Sequence, residues 1–345
     1  MELSDRARSL ALELFREYCG HKSIPLLLLR VRPLVPIFVL NNLQFNGLHC
    51  ASFFGIDELV AALREMGCYD VNEGDLGGDT PLAWAAESGN EEVVKLLLRW
   101  EEVSPDKPNK HGQAPLSAAV RKGHEGVVKI LLGREVNPDR SDCYHRTPLR
   151  YPAQRGDEGI VKMLLERREV HPDKPDDSGR TPLISAAGGG HVGVVKILPG
   201  RDEVNPNRPD IGGDTPLLGA TFHGHEAVVK VLLGREDVDP NQSSHYDSTP
   251  LTCAAAKGHE GVVKLLLGRD EVNPDKPGEC GWTPLAYAVR YQHHGIVKML
   301  LERGGVDPTI PTDEGQTPLS LATTYSDERM VNLLRDYQAV SHSAI

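Results

Sequence analysis

Thr249–Asp275 reads TPLTCAAAKGHEGVVKLLLGRDEVNPD, and this stretch decides the fold. Threonine before proline marks a helix start. The Thr249 hydroxyl is placed to accept an orphan backbone N–H, and Pro250 at the first helical position lacks only an N–H that would have no partner there. Ala254 and Ala255 keep this helix thin, so that neighbours approach closely. Gly258 before His259 ends it, because glycine takes positive φ at low cost. Val262-Val263-Lys264-Leu265-Leu266-Leu267 then puts apolar side chains at helical spacing for a second helix. Val272-Asn273-Pro274-Asp275 has turn chemistry and leads into an extended loop.

The same grammar runs through the chain. Thr-Pro-Leu recurs at Thr80, Thr147, Thr181, Thr215, Thr249, Thr283 and Thr317, and Ala114-Pro115-Leu116 fills the gap after the first. The successive spacings are 34, 33, 34, 34, 34, 34 and 34 residues. One step back from Thr80 stands Asn46-Gly47-Leu48-His49, a worn copy. A helix–turn–helix with a loop cannot bury its apolar face alone; stacking on its neighbours does so. The predicted fold is therefore all-α: a solenoid of about nine helix–turn–helix units with extended loops, eight of them clear in the sequence. The expected organisation is an N-terminal helical or irregular cap over 1–45, the array over 46–337 and a tail over 338–345. Glu2–Cys19, with Ser4 as helix cap, and Ile24–Leu40 either cover the first repeat or are the remnant of a larger upstream domain; both readings stand.

This Gly-x-Thr-Pro-Leu, Ala-Ala, Gly-His and Val-Val-Lys-Leu-Leu pattern resembles the ankyrin-repeat family from about Asn46 to Tyr337. The resemblance implies a non-catalytic scaffold or adaptor that binds a partner protein through the concave face of its first helices and its loop tips. The Val-Asn-Pro-Asp loop is similar to fungal arrays that trail a nucleotide-binding signalling domain, which gives the alternative of an ankyrin region belonging to such a larger protein. The family's variable contact slots lie in the loop tip, just before the Thr, and at the end of the first helix. Carried onto this chain they hold Tyr144, Arg146, Arg180, Phe222, His223, His245, Tyr246, Trp282, Arg290, Tyr291 and Tyr325, with Arg155 in a similar place. Binding hot spots favour Trp, Tyr and Arg, and aromatic residues at solvent-facing slots serve no folding purpose.

Composition narrows the function further. The net charge of −11 disfavours nucleic acid, which wants a basic face. Six scattered cysteines, none in a Cys-x-x-Cys pair, read as free thiols in a reducing compartment, so the chain is expected inside the cell, in the cytoplasm, as a monomer. Ile24–Leu40 is apolar but carries three prolines, Arg30 and Arg32, and is not read as a membrane span.

No pattern supports catalysis, a cofactor or a metal. Gly188-Gly189-Gly190-His191-Val192-Gly193 has dinucleotide-site spacing, but it sits in a helix–helix turn instead of after a buried strand. The recurring His124, His191, His225 and His259 are read as structural, each bonding backbone near its turn. The lysine of each Val-Val-Lys is read as part of a solvated face.

Departures from the pattern are informative. Pro152 replaces an alanine inside a first helix, where an interior proline costs about 3 kcal/mol and is expected to kink or break it. Pro199 replaces a core leucine of a second helix. Residues 147–200 thus read as the soft stretch of the array, either a hinge or tolerated drift. His145, Asp247 and Gln292 stand where other repeats have glycine.

Overall fold

The computed structural model describes residues 46–67 and 69–343. The expected N-terminal cap, with Glu2–Cys19 and Ile24–Leu40, lies outside the described residues. Among those described there are eighteen α-helices and no strand. They form two compact units. The first takes the described residues up to Pro152 together with Gly159–His171; the second takes Ala153–Glu158 and the described residues from Pro172 onward.

In the first unit the first helices are α1 (Gly47–Phe54), α3 (Pro81–Ser88) and α5 (Pro115–Lys122), packed side by side. Behind them run the second helices α2 (Asp57–Glu65), α4 (Glu91–Leu97) and α6 (Glu125–Leu132). The division between units falls within α7 (Arg150–Arg155) and at the start of α8 (Glu158–Leu165). The second unit continues the alternation. Its first helices are α9 (Pro182–Gly188), α11 (Pro216–Phe222), α13 (Pro250–Lys257), α15 (Pro284–Arg290) and α17 (Pro318–Thr324). Its second helices are α10 (Val192–Ile197), α12 (Glu226–Leu233), α14 (Glu260–Leu267), α16 (His294–Arg303) and α18 (Glu328–Ser343).

The caps form as the sequence dictates. Thr80, Thr181, Thr215, Thr249, Thr283 and Thr317 each accept the N–H three residues on, at 3.1–3.2 Å. The thin Ala positions and the Val-Val-x-x-Leu positions supply the core: Ala254, Ala255, Val262, Val263 and Leu266 are fully buried, as are their counterparts in neighbouring repeats.

Three further sets of bonds link neighbouring repeats. The turn histidines do not bond their own turn; His191, His225, His259 and His293 place Nε2 at 2.8–3.3 Å from a carbonyl 37 residues back, at the end of the preceding first helix. Arg167, Arg235, Arg269 and Arg303 donate to carbonyls at the end of the preceding second helix, that is Leu132, Pro199, Leu233 and Leu267. In the loops, Asn207 and Asn241 donate to the carbonyls of Asp237 and Glu271 and accept the N–H groups of Asp239 and Asn273.

The two prolines act less severely than expected. α7 begins at Arg150, three residues after Thr147, so Pro152 falls in its first turn, where an N–H has no helical partner to lose. The helix is shortened at its start instead of kinked. At Pro199, α10 gives way to a 3-10 turn over Leu198–Gly200, and Leu198 remains fully buried.

Candidate functional site

The face on which the expected contact residues converge is set by the ends of the first helices of the second unit. α13 ends at Gly258, whose φ of 78° closes the helix. A side chain there would also collide with the ring of His293 in the next repeat, 2.7 Å from an added Cβ. The two residues before this turn stand clear of the core in each repeat. On α11 they are Phe222 and the following His223, on α13 Ala256 and Lys257, on α15 Arg290 and the following Tyr291, and on α17 Thr324 and the following Tyr325. α15 and α17 close through Gln292 and Ser326, which take the same left-handed conformation without being glycine, at φ 59° and 56°.

These slots interact across repeats. Lys257 on α13 holds its ammonium 4.3 Å from the centre of the Phe222 ring on α11. Phe222 meets His223 edge-on at 5.1 Å, and His223 lies 5.8 Å from the ring of His225. Arg290 lies with its guanidinium 4.7 Å from the Trp282 ring and 5.8 Å from Tyr291. Tyr291 in turn stacks on His293 at 6.3 Å. Phe222, Tyr291 and Tyr325 are 48%, 50% and 42% exposed.

Trp282 differs from its expected role. It is only 8% exposed, so it is not a solvent-facing contact. Its loop carries Gly278 where the adjacent repeats have Ser244 and Thr312, and the tip folds into a 3-10 turn over Glu279–Gly281. The indole lies against Tyr287, ring centres 5.5 Å apart, and forms the platform beneath Arg290.

The loop tips add a second row. His245 is exposed and its N–H donates to the Gly212 carbonyl of the preceding loop at 3.0 Å. Tyr246 is 69% exposed, as is Ile211 on that preceding tip. Ile211 was not among the expected contacts. Its signal is an isoleucine where turn chemistry favours polar residues, at the register that His245 holds in the next loop. Lys257 was missed too, because a lysine at a helix C-terminus reads as ordinary charge complementarity to the helix end.

The expected arginines other than Arg290 are committed to carboxylates. In the first unit Arg146 bonds the Asp142 carboxylate through Nε at 2.8 Å and Nη2 at 2.7 Å while lying over Tyr144 and Tyr151. Burial opposes ionisation of Asp142, but these bonds and the backbone N–H groups of Tyr144 and Arg146 win and hold its pKa below the ordinary value. Tyr144 is left exposed on the outer side of this cluster. In the second unit Arg180 pairs with Asp210 at 3.3 Å, and Arg155 pairs with Asp157.

Cys253 is the one thiol within the helix of this row, and burial pushes its pKa up to about 12, which leaves it protonated and non-nucleophilic. Among the described residues no group of three or more His, Cys, Asp or Glu is arranged to hold a metal ion. Among them, too, no helix is long and apolar enough to cross a membrane.

A family model described as ankyrin repeats (3 copies) matches residues 18–107, 98–176, 154–244, 202–278 and 251–343. No curated protein matches the chain.

Proposed function

The chain belongs to the ankyrin-repeat family, and from that premise we propose that it is a non-catalytic scaffold or adaptor that grips a partner protein through the first-helix and loop-tip face of its repeats. Repeats of this family are commonly protein–protein interaction modules. The observation that carries the reading is the run of large apolar side chains left in water by the second unit: Ile211, Phe222, Tyr246, Tyr291 and Tyr325. Hydrophobic surface grouped on one side of a soluble chain marks a binding site more often than scattered residues do, and Tyr and Arg are the residues from which binding hot spots are built. His223, His245 and Arg290 supply polar groups beside them, with Trp282 as support. Within the second unit Arg180 extends the contact set, and in the first unit Tyr144, with Arg146 beneath it, is a contact candidate of its own. The array over 46–337 carries the activity, and the protein works as a monomer. Free, exposed thiols at Cys143 and Cys280 support a reducing, intracellular setting.

The test is affinity capture from a cell extract with the natural chain and with a Phe222→Ala, Tyr246→Ala, Tyr291→Ala variant. All three side chains are exposed, so the variant keeps its helical circular dichroism. Loss of specific bands supports the reading; bands that persist unchanged remove this face from the function.

A further inference from the structure

Two cations on this face stand without an acid. Lys257 is the last residue of α13 and Arg290 the last of α15, and these helices pack side by side. Neither takes part in an ion pair, in contrast to Arg146 with Asp142, Arg180 with Asp210, Arg208 with Asp173 and Arg235 with Asp237. Asp214 borders the face near Cys253 and Glu279 borders it near Tyr287, and neither closes an ion pair on the two cations. Instead both cations rest on rings, Lys257 over Phe222 and Arg290 over Trp282 with Tyr291 beside it. The rings fix where the charges sit without neutralising them, which is how a charge is held ready for an external partner.

Resting on the protein-binding reading above, we propose that this face takes an acidic stretch of polypeptide that also carries a large apolar side chain. Its carboxylates meet Lys257 and Arg290, and its apolar side chain packs against Phe222 and Tyr291. Neighbouring first helices lie roughly 10 Å apart, so α11 to α15 spans about 20 Å, the length of about six extended residues. Trp282 acts as a positioning residue: it holds the Arg290 guanidinium 4.7 Å from its ring centre, where the guanidinium can meet a carboxylate. The charge logic is selective as well as attractive. The chain carries a net charge of −11, which repels acidic segments generally, so that Lys257 and Arg290 are what would draw one to this face.

The probe is a phage-displayed library of random peptides, each about a dozen residues long, panned on the full chain. The expected outcome is enrichment of sequences with two or more Asp or Glu residues near an aromatic or branched aliphatic one. A synthetic peptide of the enriched type should weaken about tenfold or more between about 50 mM and about 500 mM NaCl. Lys257→Glu and Arg290→Glu should each reduce its affinity by about tenfold or more, with Lys257→Gln intermediate and helical content unchanged. Arg290→Lys should recover part of the loss, because charge returns without the planar fork. If the enriched peptides are neutral or basic yet lose binding in Phe222→Ala, the face binds protein and the acidic preference is wrong. If no peptide is enriched, or the enriched peptides ignore every variant on this face, both the acidic preference and the face itself are overturned.

Discussion

Asp247 and Gln292 hold left-handed backbone at φ 55° and 59°, a conformation that glycine adopts in neighbouring repeats. A side chain with Cβ costs about 1–2 kcal/mol there, and glycine gives part of this back through its freer unfolded chain. Both residues are exposed. Asp247→Gly and Gln292→Gly should therefore each stabilise the protein by about 0.5–1 kcal/mol, with the smaller gain at Asp247 because aspartate tolerates this region better, as urea denaturation would show. His49 is a residue of another kind. It is fully buried on α1, with Nε2 donating to the carbonyls of Glu73 at 3.0 Å and Asp79 at 3.1 Å in the next loop. Burial outweighs the attraction of Asp75 and holds its pKa below the ordinary 6.5. A folded pKa below the unfolded one means that folding favours the neutral ring. Its contribution is then complete above pH 6.5 and is lost as pH falls through that value toward the folded pKa. The melting temperature of the natural chain should fall more steeply between about pH 7.5 and about pH 5.5 than that of His49→Gln, and equal slopes would remove His49 from the acid response.

At the scale of the element, α7 shows how one residue displaces a helix start. Other capped first helices begin at the proline after Thr, but α7 begins at Arg150, and the Arg150 N–H bonds the Thr147 carbonyl at 3.2 Å in a tight turn. The Thr147 hydroxyl is left buried without a partner, although the same threonine caps its helix in neighbouring repeats. Pro152 is the cause, since it has no N–H to return to the Pro148 carbonyl and so cannot occupy a second turn. Pro152→Ala should lengthen α7 back to Pro148 and stabilise by about 1–3 kcal/mol. A thermodynamic cycle isolates the mechanism. Thr147→Val should be neutral or slightly stabilising in the natural chain, because it removes an unsatisfied hydroxyl, but should cost about 1 kcal/mol in the Pro152→Ala background, where it removes a working cap. A zero coupling energy would show that Pro152 and the cap are unrelated. The repeated caps and the Val-Val-Leu core were legible in the sequence because local spacing alone fixes them. The arginine ladder was not, since Arg167, Arg235, Arg269 and Arg303 read as surface charge until the preceding helix end is seen beneath them. The burial of Trp282 was hidden too, because it follows from a 3-10 turn at Glu279–Gly281 that replaces the side-chain-braced loop of the other repeats. The exposed slots at Phe222, Tyr246 and Tyr291 could be placed from register, but whether Lys257 and Arg290 have acids to pair with depends on distances between repeats.

At the scale of the whole second unit, the decisive property is that the histidine, arginine and asparagine ties each join one repeat to its neighbour. In the second unit the histidine bonds bridge 37 residues, the arginine bonds about one repeat, and the loop asparagines about one repeat. Stability in such an array is a sum of terms within repeats and terms between neighbours, and cooperativity lives in the second kind. The repeat formed by α11 and α12 is the clearest place to test this. Its His225 bonds Gly188 in the repeat before, and its Phe222 carbonyl receives His259 from the repeat after. His225→Ala should cost about 1 kcal/mol, and so should His259→Ala, because each leaves a helix-end carbonyl that water can still reach in part. Together they loosen both faces of one repeat while leaving its own core of Leu217, Ala220, Val228, Val229 and Leu232 intact. The double variant should lose stability by about the sum of the singles, yet its urea transition should broaden, with a smaller slope than that of the natural chain. Hydrogen exchange should then rise first in α11 and α12 and spread outward from there. A transition that shifts without broadening, with exchange rising evenly along the second unit, would mean that apolar stacking alone carries the coupling and that the histidine ladder sets only the registration of one repeat on the next.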